Sequence, residues 1–198
     1  MSMVYGSLPP SVGASCGTSS FYAQRYPNTA AHTQLAEAMW FLQNHRESVT
    51  LVTIDIGAND IGSALGVDSV LTNLPVILSS LRAAAGAALP IVGMNYYDPF
   101  LPIVWSTSGH DLGALQSRVN EIVAFNGLLA FLYGQFADPV ADVQTQFQVT
   151  EMALVGVTPL NVLRECQWTW ICVPPATDIH ANTAGYGEIA KAFEALFP

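Results

Sequence analysis

Two short segments of this chain hold residue types that do acid–base and oxyanion chemistry. In Asp178-Ile179-His180 a carboxylate stands two residues before an imidazole, just ahead of a helix-like C-terminal stretch. A carboxylate at that range fixes the tautomer of the imidazole and supports it as a general base. Gly57-Ala58-Asn59-Asp60 follows directly on the β-rich run Val49 to Ile56. A glycine there permits a sharp turn, and an amide N–H₂ beyond a strand end can hold an oxyanion, a job worth about 3–4 kcal/mol. Taken alone, the tetrapeptide reads as an ordinary Asn/Asp turn, and a single histidine near a helix start as structural or exposed.

The elements that must position these segments alternate. Leu35, Met39 and Leu42 recur at helical spacing behind a possible Thr33 cap, which predicts a helix over 33–46. The Val49–Ile56 run predicts a buried strand stopped by Gly57. A helix is expected over 68–87, broken near Pro75, then a strand from Leu89 to Tyr96. A loop with Asp98, Pro99 and Pro102 leads to a long helix over 111–135, with Leu112, Leu115, Val119, Ile122, Val123 and Leu129 on one face. Pro139 to Val143 reads as a short third strand, 144–182 as mostly loop, and Asn182 or Thr183 caps a last helix through Phe197. This order predicts parallel βαβ units with right-handed crossovers. Residues 1–30, rich in Gly and Pro, read as irregular, with no repeat, linker or second domain along the 198 residues. In such sheets ligands bind outside the carboxyl ends of the strands, where both segments fall.

Composition narrows the class. Six Lys+Arg against fifteen Asp+Glu give a net charge of −9, and 51% of residues are hydrophobic. That excludes a disordered chain, and so few cations argue against nucleic acid as a partner. A mean hydropathy of +0.36 raises the question of membrane spans. The best candidate, Ile122 to Phe136, is interrupted by Asn126, Gly127 and Gln135 and is expected to be a buried helix. The first residues lack a basic and an apolar signal-peptide region. Cys166 and Cys172 flank a Trp-rich segment, as a small disulfide loop of a secreted protein or as two buried thiols; the disulfide is the expectation, with Cys16 left over. The four histidines are scattered without zinc-ligand spacing, and His32, His45 and His110 are expected to be exposed.

Taken together and in this order, Val52 to Asp60 followed by Asp178-Ile179-His180 and Gly185-Tyr186 resembles the SGNH hydrolase (GDSL esterase/lipase) family. Gly57-Ala58-Asn59-Asp60 is similar to that family's third block, whose Asn donates to the oxyanion, and Asp178 to His180 to its fifth block, with the triad acid and base. Trp168-Thr169-Trp170-Ile171-Cys172-Val173-Pro174-Pro175 and Met94-Asn95-Tyr96-Tyr97-Asp98-Pro99 resemble segments of secreted actinobacterial-type members. The likeness covers about residues 15–197. It implies a three-layer α/β/α sandwich with a mostly parallel sheet, the flavodoxin-like SGNH fold, in one domain over 1–198.

Two departures stand out. The commonest fifth block has Asp three residues before His, but Thr177 holds that place, so Asp178 is taken as the acid. The family's Gly-Asp-Ser block is absent at the front. Ser15-Cys16-Gly17-Thr18-Ser19 is similar to the second block, which makes Gly17 the second oxyanion donor, yet only 16 residues precede it. A strand, crossover helix and second strand do not fit in that length, since the crossover alone takes about a dozen residues. The first strand and helix are therefore expected to be missing or altered. The nucleophile stays open between Ser7 in Tyr5-Gly6-Ser7-Leu8, the cluster Ser15, Ser19 and Ser20, and no competent serine.

The implied reaction is hydrolysis of carboxylic esters of short acyl or aryl type, without metal or cofactor. A serine attacks, His180 takes its proton, Asp178 balances the imidazolium, and Gly17 N–H with the Asn59 side chain holds the oxyanion. Phe100, Leu101 and Trp105 are expected to line an apolar pocket, with Asp98 near it. The alternative is a non-catalytic, truncated SGNH-fold remnant that binds a small ester or glycan. A flavodoxin-like binding domain ranks lower, since no phosphate-cradling loop follows a strand. The expected partner is a small-molecule ester, with no nucleic acid and no membrane span. A sheet edge without its cover further predicts a homo-oligomer.

Overall fold

The computed structural model describes residues 28, 33–61, 66–174 and 178–197, with the side chains of Asn59 and Ile61 left aside. The chain is mixed α/β, with a three-stranded sheet of order β1-β2-β3 (Val52–Ile54, Ile91–Met94, Val140–Ala141). By its contacts it divides into two compact units, one reaching Val92 and taking in Leu132–Asp138, the other holding Gly93–Phe131 and the residues from Pro139 on.

In the first unit α1 (Gln34–Asn44) starts where expected, with the Thr33 hydroxyl accepting from Ala36 N–H at 3.1 Å. β1 is shorter than the apolar run suggested; its Val52 N–H bonds to the Pro90 carbonyl at 3.0 Å. Gly57 follows at φ +119°, a conformation that favours glycine, and opens a four-residue α2 (Ala58–Ile61). The buried Asp60 there accepts from Ser69 Oγ at 2.7 Å. α3 (Gly66–Ala85) packs against α1 and runs unbroken through Pro75, which corrects the expected break. Proline withholds an N–H from the carbonyl of Leu71, but Leu71 is exposed, while Leu74, Ile77 and Leu78 bury the flanking turns. Arg82 ties the end of α3 to the Gly86 and Leu89 carbonyls and pairs with the buried Asp138.

All four residues of β2 are buried, as a strand covered on both faces requires. In the second unit Gly93 and Met94 pair in parallel with Val140 and Ala141 of β3. The Asn126 side chain brackets Tyr96, accepting its N–H at 2.9 Å and donating to its carbonyl at 2.8 Å. The stretch after β2 holds a helix the sequence reading missed, α4 (Leu101–Thr107), with Pro102 in its first turn. α5 (Leu112–Gly134) follows; Leu115, Val119, Ile122 and Leu129 are buried as expected, but Leu112, Val123 and Phe131 are exposed. It is a half-buried helix, not a fully buried one, because its apolar residues exceed one face. No helix among the described residues is long and apolar enough to cross a membrane.

Residues 144–182 are mostly loop, as expected, but with regular elements set in it. They hold the end of α6 (Val143–Gln146), a hairpin of β4 (Leu154–Val155) and β5 (Thr158–Pro159), and α7 (Leu160–Trp168). α7 buries Asn161, Val162, Glu165 and Trp168 together, so two polar residues interrupt the apolar stripe that would have marked it. Cys166 and Cys172 form the expected disulfide. Asn182, rather than Thr183, caps α8 (Thr183–Glu194), accepting from Ala184 and Gly185 N–H.

Candidate functional site

Of the residues marked for chemistry, the structure brings Asp178 and His180 together. Asp178 Oδ1 accepts the His180 backbone N–H at 2.9 Å and stands 2.7 Å from Nδ1 of the same residue. A short Asx-type turn therefore does two things at once: it curls the backbone and presents the carboxylate to the ring. With Nδ1–H donating to the carboxylate, Nε2 is left as an acceptor, the tautomer a general base needs. The bonds from the His180 backbone and ring hold the Asp178 carboxyl below its ordinary value, so its charge persists as pH falls further than for a free aspartate. Both side chains are open to water, at 74% for His180 and 56% for Asp178.

Four supports fix this turn. Thr169 and Ala181 form an antiparallel bridge, flanked by Trp170 N–H to the His180 carbonyl at 3.0 Å and Asn182 N–H to the Trp168 carbonyl at 2.9 Å. The Asn182 amide also donates to the Gln167 carbonyl at 2.9 Å while its oxygen caps α8. Gly185 lets that first turn press on the end of α7, where an added Cβ would lie 2.0 Å from the Trp168 carbonyl oxygen. The third support comes from the loop at the carboxyl end of β2. There the Tyr97 hydroxyl donates to the Ile179 carbonyl at 3.3 Å, and its ring stacks on Phe147 with centroids 4.5 Å apart. The Cys166–Cys172 disulfide closes the segment to which His180 is bridged.

A second cluster of charged groups lies under the same loop. Asp98, 1% exposed, accepts from Arg118 Nε at 2.6 Å and Nη2 at 3.0 Å, a two-pronged pair. The Asp98 N–H donates to Glu165 Oε1 at 3.0 Å, and Glu165 Oε2 has no hydrogen-bond partner among the described residues. Burial pushes the Glu165 carboxyl well above its usual value, and the nearby Asp98 charge adds to that against the Asp98 N–H bond. Asp98 is thus held in a buried frame rather than on a pocket wall.

The remaining expectations fare differently. Asn59 is the second residue of α2, beyond the turn at Gly57. Gly17, Ser7, Ser15, Ser19, Ser20, Cys16, His32 and Thr177 lie outside the described residues. Leu101 and Trp105 are core residues of α4, not a pocket loop, because the helix turns them inward; Phe100 is exposed beneath the Arg118 guanidinium. His45 and His110 are exposed, beside Phe41 and Trp105 respectively. Tyr97 and Trp170, which hold the His180 turn, carried no signal as site residues, since their link to it exists only across the fold. No group of three or more metal-binding side chains occurs among the described residues. No family model, curated protein or solved structure matches the chain.

Proposed function

We propose that the chain is a serine esterase of SGNH type, hydrolysing carboxylic esters of short acyl or aryl type. The observation that supports this most is the Asp178–His180 pair: 2.7 Å from carboxylate to Nδ1, with Nε2 left open to solvent. In the proposed cycle a serine among Ser7, Ser15, Ser19 and Ser20 gives its proton to His180 Nε2 as its oxygen attacks the acyl carbon. His180 then passes the proton to the leaving alcohol oxygen. Water, giving its proton to His180, next attacks the acyl-serine, and the acid leaves as the serine oxygen takes that proton back. Asp178 balances the imidazolium in both halves. Gly17 N–H and the Asn59 side chain are the proposed oxyanion donors. The reading carries with it a three-layer sandwich about the parallel sheet, a secreted chain with its Cys166–Cys172 disulfide, and self-association through an outer strand.

Hydrolysis of p-nitrophenyl acetate tests it. His180→Ala is expected to lower kcat/KM by at least about a hundredfold and Asp178→Asn by about tenfold to a hundredfold, with little change in thermal midpoint for these exposed side chains. Equal rates for wild type and His180→Ala overturn the assignment. A serine-directed phosphonate that labels outside residues 1–20 refutes the proposed nucleophiles. One observation favours a second reading, a non-catalytic SGNH-fold chain that binds a small ester or glycan: the dyad stands open to water, where catalytic electrostatics are weakest. Absence of turnover in the wild type decides for it.

A further inference from the structure

The bridge that holds His180 also fixes what stands beside it. In an antiparallel pair whose flanking hydrogen bonds run from Trp170 N–H to the His180 carbonyl and from Asn182 N–H to the Trp168 carbonyl, Thr169 faces Ala181 and Trp170 faces His180. Side chains alternate between the faces of such a ladder, and directly opposed residues share a face with Cβ atoms about 5 Å apart. The two opposed pairs differ in burial. Thr169 and Ala181 are 0% and 2% exposed, whereas Trp170 is 43% exposed and the His180 side chain 74%. The Trp170 ring is thus left partly in water, on a residue whose backbone N–H is bonded to the carbonyl of the imidazole-bearing residue. Its backbone is fixed on three counts: the bridge, the Val173 N–H that returns to the Trp170 carbonyl at 2.9 Å, and the Cys166–Cys172 disulfide around it.

We propose that Trp170 is the binding face for the leaving group of the substrate, and that this group is a neutral aromatic alcohol, so that the preferred substrates are aryl esters. The proposal rests on the esterase reading for its catalytic side. His180 delivers its proton to the leaving alcohol oxygen, so a residue opposite His180 on one face of the ladder meets the alcohol part of the ester rather than the acyl part. An indole face takes a flat ring by offset stacking. Asp178 next to the site and the chain's charge of −9 disfavour an anionic ring such as a carboxylate-bearing one.

The experiment compares two acetates that differ only in the alcohol, phenyl acetate and ethyl acetate, on wild type, Trp170→Ala and Trp170→Phe. For Trp170→Ala the expected result is a KM for phenyl acetate raised about fivefold with kcat within a factor of two, and ethyl acetate kinetics nearly unchanged. Trp170→Phe restores most of the phenyl acetate KM. A second readout needs no turnover: saturation-transfer NMR of phenol with the full chain gives a signal on the ring protons that Trp170→Ala abolishes. Equal KM changes for both acetates, or a phenol signal indifferent to Trp170→Ala, overturn the proposal. A chain that hydrolyses neither ester but loses the phenol signal in Trp170→Ala refutes the esterase reading and leaves the aromatic site standing.

Discussion

Asp178 and Asp98 belong to the same unit, and each accepts from a basic side chain at close range, 2.7 Å from His180 and 2.6 Å from Arg118. They differ in water. Asp178 is more than half exposed; Asp98 is 1% exposed and has Glu165, itself fully buried, at its backbone N–H. In the open pair the ring's second nitrogen stays available, and the carboxylate can follow a charge that comes and goes. In the buried cluster every charge is committed, and removing a partner strands the one that remains. The first arrangement leaves a ring nitrogen free to exchange a proton, and the second fixes a frame.

Arg118→Ala puts that contrast to its strongest test. It leaves Asp98 buried and without its two-pronged partner, at an expected cost of roughly 3 kcal/mol, which for a chain of this size lowers the thermal midpoint by about 6–12 °C. The corresponding cut at the open pair, Asp178→Asn, is expected to move the midpoint by no more than about 1 °C, because solvent replaces the lost charge. Circular dichroism melts of the two variants read both effects. Comparable shifts in the two would mean that exposure does not separate these pairs.

How visible each region was in the sequence follows from the same contrast. Asp178 and His180 sit two residues apart and make their contact within one turn, so spacing alone presents them. The Thr33 cap, the apolar β2 and the long helix α5 are likewise local signals. Asp98, Arg118 and Glu165 meet from three separate elements, and nothing local marks any of them as buried. Glu165 and Asn161 did more than escape notice: placed on the inner face of α7, they broke the apolar pattern and made a helix read as loop. Trp170 was visible as part of a Trp-rich segment, but its place opposite His180 depends on a single bridge between distant residues.

Protonation offers a finer probe of the buried side. Below the ordinary glutamate value, both folded and unfolded chains keep the Glu165 proton. Above it the unfolded chain releases the proton while the folded one holds it, because burial raises the folded value well above the usual one. The folded state then binds more protons, so the stability that goes with the neutral carboxyl is full at low pH and is lost as pH rises toward the folded value. Urea unfolding of wild type across that window should give a downward slope, on the order of 1 kcal/mol per pH unit, that Glu165→Gln removes. Asp178 acts in the opposite sense: its lowered value gives a contribution present above the ordinary aspartate value and lost as pH falls. A wild-type slope that survives in Glu165→Gln would place the titrating group elsewhere.

The smallest expected effect concerns the link between the two regions. Tyr97 precedes Asp98 in the chain, and its hydroxyl reaches the Ile179 carbonyl inside the Asp178–His180 turn. At 3.3 Å this is a long hydrogen bond, with a net worth of about 0.5–1 kcal/mol. Tyr97→Phe keeps the ring stacked on Phe147 and removes the hydroxyl, so the turn loses one of its supports while the bridge to Thr169, the Asn182 cap and the disulfide remain. Ester hydrolysis by this variant should fall about twofold to threefold in kcat/KM, with the thermal midpoint lower by about 1–3 °C. Should the rate instead fall tenfold or more, the buried frame and the open pair would be acting as one unit through Tyr97. Water would then no longer be what sets the two apart, because the frame under Asp98 would itself be aiming the imidazole.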